Sequence, residues 1–320
     1  MRVFVTGGTG CLGRQLIQVL LAHDCEVTAL VRTFDRARSL PAGVRTVAGD
    51  VNRRASLRTG MRGAELVFHA AAWTQLGVLP RDYARLERIN VEGTREVLEL
   101  AAELGGPRVV YTSALEIYGD THGQVLDEAN LPQTGPLESE YARSKRRALL
   151  EVVAPMQALS LPVTVVCPGA LYGAGDQSLP GRLLRRYAQR RLPVMIGAET
   201  AFSWAHADDV AEGHWLAATL GRPGETYFLA GPALSYREFF SAAERATGLP
   251  APRLWLPGGL AGTLAKWLRR VRPGLAEVLR RFSGLTYLAR SDKAQHELGW
   301  HARPLEAGLA ETVAQLRAAK

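Results

Sequence analysis

Two side chains near the middle of the chain are spaced for proton transfer. Tyr141 and Lys145 stand four apart in Tyr141-Ala142-Arg143-Ser144-Lys145, and on a helix that spacing puts a phenol and an ammonium on one face. A free phenol titrates near ~10. A neighbouring cation stabilises the phenolate and brings the group into range as a general acid or base. The same ammonium can hold a ribose hydroxyl. The plain alternative is a pair of exposed helix residues.

The chain opens with a second chemical pattern. Thr6-Gly7-Gly8-Thr9-Gly10-Cys11-Leu12-Gly13 carries glycines at 7, 10 and 13 and at 8, 10 and 13. It follows the apolar run Arg2–Val5 and precedes Leu12–Leu21, which is apolar at helical spacing. Glycine permits a tight strand-to-helix turn, lets amides approach a pyrophosphate and lets the helix pack close to the strand. The helix amino terminus then faces the phosphates with its positive dipole end. Gly7, Gly10, Cys11, Leu12 and Gly13 are therefore candidates for a dinucleotide cradle.

Further candidates sit at the ends of the next strands. The second strand ends Ala29-Leu30-Val31-Arg32, with no acid before Asp35. A ribose 2′-hydroxyl is usually met by Asp or Glu at this point, whereas a 2′-phosphate calls for cations. Arg32, with Arg36 or Arg38 nearby, favours NADP(H), with NAD as the alternative. Asp50 and Val51 suit an adenine ring, Asp50 accepting from its amino group; otherwise Asp50 caps the helix that begins near Arg53. Ala70, Ala71 and Ala72 would let backbone lie against the cofactor, and His69 before them reads as a packed strand-end histidine.

These residues need a scaffold. Short strand-like runs at Arg2–Val5, Glu26–Val31, Val44–Val47, Glu65–His69, Arg108–Thr112 and Val163–Cys167 alternate with helix-like segments, the longest at Arg81–Leu104 and Glu140–Leu159. That order predicts an α/β fold, a doubly wound parallel sheet covered on both faces. The pattern changes after Pro168. The expected division is a dinucleotide-binding domain over 1–168, with 204–230 returning to it, and a smaller carboxyl-terminal substrate lobe over 169–203 and 231–320. There Ser235 is expected to cap the helix Ser235–Thr247. Leu254–Phe282 reads as one helical stretch, broken at Pro257-Gly258-Gly259 and Pro273-Gly274.

Composition bounds the rest. At 320 residues and 47% hydrophobic content the chain can build more than one core. The three cysteines, Cys11, Cys25 and Cys167, form no CxxC pair, so neither a disulfide framework nor a metal site is expected, and a reducing compartment is. The start Met1–Gly7 is too soon broken by glycine for a secretory apolar region, and no apolar run reaches the ~18 residues needed to span a bilayer, so a cytoplasmic protein without a membrane span is expected. The net charge of +8 is almost all arginine and is dispersed along the chain. A basic run interleaved with aromatics is lacking, which argues against nucleic acid as a partner.

Taken in order, these pieces resemble the extended short-chain dehydrogenase/reductase family, also described as NAD-dependent epimerases/dehydratases. The resemblance rests on Thr6–Gly13, Gly49–Val51, His69–Ala72, Asn90–Thr94, Tyr111–Gly119, Tyr141–Lys145, Pro168–Asp176, His206–Val210 and the tail Ser291–Leu309. It implies a Rossmann fold and hydride transfer at C4 of nicotinamide. Tyr141 would be proton donor or acceptor, Lys145 its tuner, and Pro168 part of the cofactor site. It also implies a small-molecule substrate and a homodimer paired through Arg81–Leu104 and Glu140–Leu159.

Departures from the family pattern narrow the reading. Counting back from Tyr118-Gly119, the family's Ser or Thr position is Ala114; Ser113 or Thr112 would supply the hydroxyl only after a register shift, and adjacent strand residues face opposite ways. The arginine usual before the last proline is Cys167. Glu116 lies where sugar dehydratases of the family carry an acid, but Leu115 replaces the preceding Asp. Phe202 stands where nucleotide-sugar enzymes hold a diphosphate-gripping arginine.

Phe202, Trp204 and the apolar stretch Leu254–Leu264 suit a bulky, less charged substrate, unless they are simply core. The sequence is thus most similar to the dihydroflavonol-reductase and 3β-hydroxysteroid-dehydrogenase branch, implying ketone/alcohol oxidoreduction. A nucleotide-sugar epimerase or dehydratase is the alternative enzyme, and a non-catalytic dinucleotide sensor or scaffold the alternative of another class. Lys266-Trp267-Leu268-Arg269-Arg270 fits either a helix closing the substrate lobe or a segment resting on a membrane surface.

Overall fold

The computed structural model describes residues 1–132, 135 and 137–318, and the side chains of all of these except Phe34 and Arg36. Its centre is a seven-stranded sheet in the order 226–229, 163–168, 108–112, 66–69, 2–6, 26–31, 45–48, with every neighbouring pair parallel. The strands Leu66–His69 and Val163–Pro168 are buried at every position. That is why they read as continuous apolar runs rather than alternating ones.

Alternation decides which core each residue enters. Val109, Tyr111, Val163 and Val165 pack with Val97, Leu98, Ala148 and Val152 of the helices on one face. Val110 and Val166 face the other core, with Leu16 and Ile17 of the helix Cys11–Ala22 and Val210 and Ala211 of the helix Ala207–Thr219. Register brings the carboxyl ends level, Thr6 opposite His69, His69 opposite Tyr111 and Thr112 opposite Val166. The chain leaves strand Arg2–Thr6 to build the sheet outward in both directions. The crevice at that switch point is the usual ligand position in such sheets.

Two long helical segments cover the first face. The first runs through Tyr83–Glu87, a π-helical turn at Arg88–Glu92 and Gly93–Glu103; the second through Glu140–Ala148, a π-helical turn at Leu149–Val153 and Ala154–Ala158. Single π turns inside α-helices mark sites where a side chain needs a particular aim; Asn90 lies in the first.

A smaller sheet orders Ala233–Ser235, Ala201–His206, Thr286–Ala289 and Val125–Leu126, with Ala170–Tyr172 also paired to Ala201–His206. The helices Leu179–Ala188, Tyr236–Thr247 and Leu305–Ala318 enclose its aromatic core. Ser235 does cap its helix, in a capping box with Glu238. The stretch expected to be one broken helix is a strand, Leu254–Leu256, followed by helices Gly258–Leu268 and Pro273–Arg280. Both prolines stand at helix starts, where a missing N–H costs nothing. The tail is fastened by Asp209, whose carboxylate accepts from Arg303 N at 2.9 Å and Nε at 2.8 Å.

Candidate active site

The glycine turn is built against the neighbouring strand end. Gly7 has φ +77°, and a Cβ there would lie 2.6 Å from the Ala70 carbonyl and 2.7 Å from the Ala71 nitrogen. A Cβ at Gly13 would lie 2.1 Å from the Gly7 carbonyl oxygen. Only glycine fits either place. Gly10 N donates to Gly7 O at 2.9 Å and closes the turn. The helix Cys11–Ala22 then begins with no side-chain cap and no acid in its first turn. Its leading N–H groups and positive dipole end are left for an anion. A dinucleotide pyrophosphate fits this cradle. Leu12 is buried behind it, and burial pushes the half-buried Cys11 thiol up to about 12, so it stays protonated.

The rim residues divide. Arg32 is exposed at the end of strand Glu26–Val31. Arg38 is exposed and lies 3.8 Å from Asp35, and the side chain of Arg36 falls outside the described ones. Asp50 does not cap the helix Arg54–Met61, which starts at Arg53 without a side-chain cap. Its Oδ1 instead accepts from Asn52 N and Nδ2, both at 3.0 Å, and so fixes its own turn. Val51 is buried where a Cβ on Gly93 would meet it at 2.6 Å. Ala70, Ala71 and Ala72 are half-buried, and Pro168 is the buried last residue of its strand.

His69 is a strut and not a ligand. Thr94 donates its hydroxyl hydrogen to Asn90 O at 2.7 Å, so it accepts from His69 Nε2 at 3.0 Å. His69 Nδ1 therefore accepts from the Thr6 hydroxyl at 2.7 Å. Burial drives the imidazole down to about 3, which keeps it neutral.

Ser139 caps the helix that carries Tyr141 and Lys145, accepting from Ala142 N at 3.1 Å. Lys145 is buried; its Nζ donates to the Thr112 carbonyl at 2.6 Å and lies 4.2 Å from the centre of the Tyr111 ring. Burial lowers this ammonium to about 7. The phenol of Tyr141 responds to a different pair of charges. Burial and then the Glu116 carboxylate push it well above the usual tyrosine range, with Arg281 opposing. The ammonium expected to bring Tyr141 down is turned toward Thr112, and the phenol is held protonated.

The hydroxyls at the end of strand Arg108–Thr112 separate as alternation requires. Thr112 Oγ1 donates to His214 Nε2 at 2.9 Å, on the face covered by helix Ala207–Thr219. Ser113 returns to the Lys145 face: its N donates to Val166 O at 2.7 Å and its buried hydroxyl sits beside the Cys167 thiol. Ala114, buried and extended at φ −157°, leads into the 3-10 turn Leu115–Tyr118.

Two residues of this neighbourhood were given no role from sequence: Asn90, quoted only within the Asn90–Thr94 motif, and Arg281. Asn90 is buried in the π turn; its Oδ1 accepts from Trp73 N at 2.7 Å and its Nδ2 donates to Ser144 Oγ at 2.8 Å. Ser144 in turn donates to Tyr141 O at 2.8 Å. Asn90 thereby ties the segment after Ala72 to the helix of Tyr141 and Lys145. An amide in the middle of an otherwise apolar helix face was the available signal. The other residue is Arg281, whose Nη2 donates to Glu116 at 2.6 Å. Its guanidinium lies 5.6 Å from the Phe202 ring and 5.0 Å from the Tyr287 ring.

Phe202 and Trp204 are part of the aromatic core packed against the smaller sheet. Both are buried, Phe202 stacked on Tyr287 at 5.6 Å and Trp204 on Phe239 at 3.9 Å. Leu254, Leu256, Leu260 and Leu264 are exposed to solvent. Among the described residues no three His, Cys, Asp or Glu side chains group to hold a metal ion, and no helix is long and apolar enough to cross a membrane.

Comparison with known proteins agrees with this architecture. Residues 3–230 match the NAD dependent epimerase/dehydratase family. The chain is 30% identical to a 4-hydroxy-2-methyl-3-oxo-4-farnesyl-3,4-dihydroquinoline-1-oxide ketoreductase of Stigmatella aurantiaca, over 95% of this chain and 92% of that protein. It is 31% identical to sterol demethylase protein B of Methylococcus capsulatus, over 83% and 80%. Among solved structures, gox2253 superposes with a TM-score of 0.87 at 29% identity, covering 99% of this chain and 98% of that one. MoeE5 in complex with UDP-glucuronic acid and NAD superposes with a TM-score of 0.81 at 25% identity, covering 100% of both. With its glycine cradle, its Tyr141–Lys145 helix and these matches along nearly its whole length, the chain belongs to the NAD dependent epimerase/dehydratase family, the extended short-chain dehydrogenases/reductases.

Proposed function

We propose that this protein is an NADP(H)-dependent oxidoreductase that interconverts a ketone and an alcohol on a bulky, apolar molecule. The observation that carries the reading is the helix that sets Tyr141 one turn from buried Lys145, whose Nζ donates to the Thr112 carbonyl at the carboxyl edge of the sheet. When bound, the nicotinamide supplies hydride chemistry at its C4. Gly7, Gly10, Cys11, Leu12 and Gly13 would hold its pyrophosphate, Arg32 its 2′-phosphate, Asp50 and Val51 its adenine, and Ala70, Ala71, Ala72, Lys145 and Pro168 its inner half.

Tyr141 gives its proton to the substrate oxygen in the reductive direction and takes one back in the oxidative direction. Burial weakens this phenol as an acid, so its proton moves only as negative charge develops on the substrate oxygen, and the Lys145 ammonium, lowered to about 7, can replace it. Ser113 supplies the hydroxyl that orients the same oxygen. The reading includes a homodimer paired through the helical segments 83–103 and 140–158.

One named relative is a farnesyl-dihydroquinoline-oxide ketoreductase and the other a sterol demethylase protein by name, which supports an apolar substrate here. Arg281, the guanidinium over the buried Phe202 ring, is engaged by Glu116 and so is not free to grip a sugar diphosphate. The decisive assay adds hydrophobic ketones to the purified protein with NADPH. Consumption of NADPH that depends on the ketone is expected; none with a broad ketone panel would count against the reading. A second reading, a nucleotide-sugar enzyme, is favoured by one observation, that a cation does stand beside Phe202. Calorimetry with UDP-glucose separates the two, and heat of tight binding would favour the sugar enzyme.

A further inference from the structure

Helix Gly258–Leu268 is packed inside out. Gly258, Ala261 and Ala265 turn inward, while Leu260, Leu264 and Trp267 are 61%, 50% and 82% exposed. Those three stand at i, i+4 and i+7, so they form one stripe. Val271 and Leu275 are exposed as well, and so is Leu79, whose side chain lies against Gly274. An amphipathic helix ordinarily turns its large apolar residues to the core. A contiguous apolar patch left in water marks an interaction surface.

The charge around the patch selects its partner. From Pro250 through Ala276 there is no Asp or Glu, yet Arg253, Lys266, Arg269, Arg270 and Arg272 all occur and all are exposed. None of the five has an ion-pair partner among the described residues. Glu277, the next acid, is buried, and its carboxylate accepts from Gly77 N at 3.2 Å. A second copy docked on this face would bring like charges together, which argues against self-association. A Leu/Trp stripe rimmed by unpaired Arg and Lys is the composition of an interfacial helix.

We propose that this face, formed by helices Gly258–Leu268 and Pro273–Arg280, docks on the surface of an anionic lipid bilayer. Leu260, Leu264 and Trp267 enter the interface, and Lys266, Arg269, Arg270 and Arg272 engage lipid phosphates. The protein lies on the membrane and does not span it, in keeping with the length of its helices. The docked face adjoins the candidate active site. Arg281, the first residue beyond Pro273–Arg280, is the partner of Glu116, and Glu277 of that helix holds the loop at Gly77.

The proposal goes beyond the oxidoreductase reading and does not rest on it. Its test is sedimentation of the full chain with vesicles of phosphatidylcholine containing about 30% phosphatidylglycerol, against phosphatidylcholine alone, at low and high salt. Binding at least about tenfold stronger to the anionic vesicles, reversed by salt, is expected, with a blue shift of tryptophan emission that Trp267→Phe removes. Arg269→Glu/Arg270→Glu and Leu264→Ser/Trp267→Ser should each abolish the binding while the folded-state circular dichroism stays unchanged. Equal partition to the two vesicle types, no partition, or undiminished binding by both double variants would overturn the proposal. So would concentration-dependent self-association, abolished by Leu264→Ser/Trp267→Ser, in the absence of vesicle binding.

Discussion

Arg281 and Glu116 lie 165 residues apart in sequence and meet in a 2.6 Å charge-assisted hydrogen bond. Arg281 is only 11% exposed and Glu116 only 21%. Burial raises the pKa of the Tyr141 phenol most, and within the pair Glu116 raises it further while Arg281 lowers it.

Removing one partner of such a pair strands the other. Arg281→Met is expected to destabilise the fold by about 2–4 kcal/mol, and Glu116→Gln/Arg281→Met to recover most of that loss. Denaturant unfolding of the single and double variants checks it. In Arg281→Met the unopposed carboxylate should also hold Tyr141 protonated to still higher pH.

Stability should depend on pH through buried bases, three of them with large downward shifts. His69 falls to about 3 and His214 to about 4, against an unfolded value near ~6.5. The unfolded chain then binds more protons between those limits, so stability declines as pH drops below ~6.5, by roughly 1.4 kcal/mol per pH unit for each group. Lys145 is at about 7 when folded against 10.5 when free. By the same sign rule its contribution improves as pH rises above 7. Melting temperatures of the ligand-free protein should therefore climb from pH 5 to pH 9, and Lys145→Met should flatten the part above pH 7.

Arg32 is the cation at the end of the second strand and faces solvent. Arg32→Asp should weaken NADPH binding about 10- to 100-fold and leave or improve that of NADH, since one charge-assisted contact to a 2′-phosphate is replaced by a carboxylate suited to a ribose hydroxyl. Fluorescence titration with both nucleotides reads the change.

With Ser113 on the Lys145 face and Thr112 bonded to His214, Ser113 is the hydroxyl expected to orient the substrate oxygen. Ser113→Ala should lower kcat about 100- to 1,000-fold with little change in KM, as loss of one polarising donor does. Thr112→Val should spare kcat and cost stability instead, and Ala114→Ser should change turnover little.

Much of this was legible from residue order because local rules coincide with tertiary ones. The parallel sheet announces itself as short β-branched runs, and the cradle as glycines that Gly7 and Gly13 need for lack of room beside Ala70 and Gly7 itself. Ser235 declared its cap because Glu238 stands three residues on. The stretch from Leu254 misled because Pro257 and Pro273 begin helices as readily as they interrupt them. Trp204 could be read as a pocket aromatic or as core, since nothing local separates the two; Phe239, stacked on it, comes from a distant helix. Arg281 could not be tied to Glu116 by any spacing rule: the helical proximity of Tyr141 and Lys145 is visible in sequence, and a contact between residues 165 apart is not.

The central claim is that the Tyr141 hydroxyl moves the proton. It is tested most directly by Tyr141→Phe, assayed for ketone-dependent NADPH oxidation beside the parent protein, with nucleotide binding measured on both. The account predicts a kcat lower by about 100- to 10,000-fold with nucleotide affinity retained. Turnover within a few-fold of the parent would contradict it.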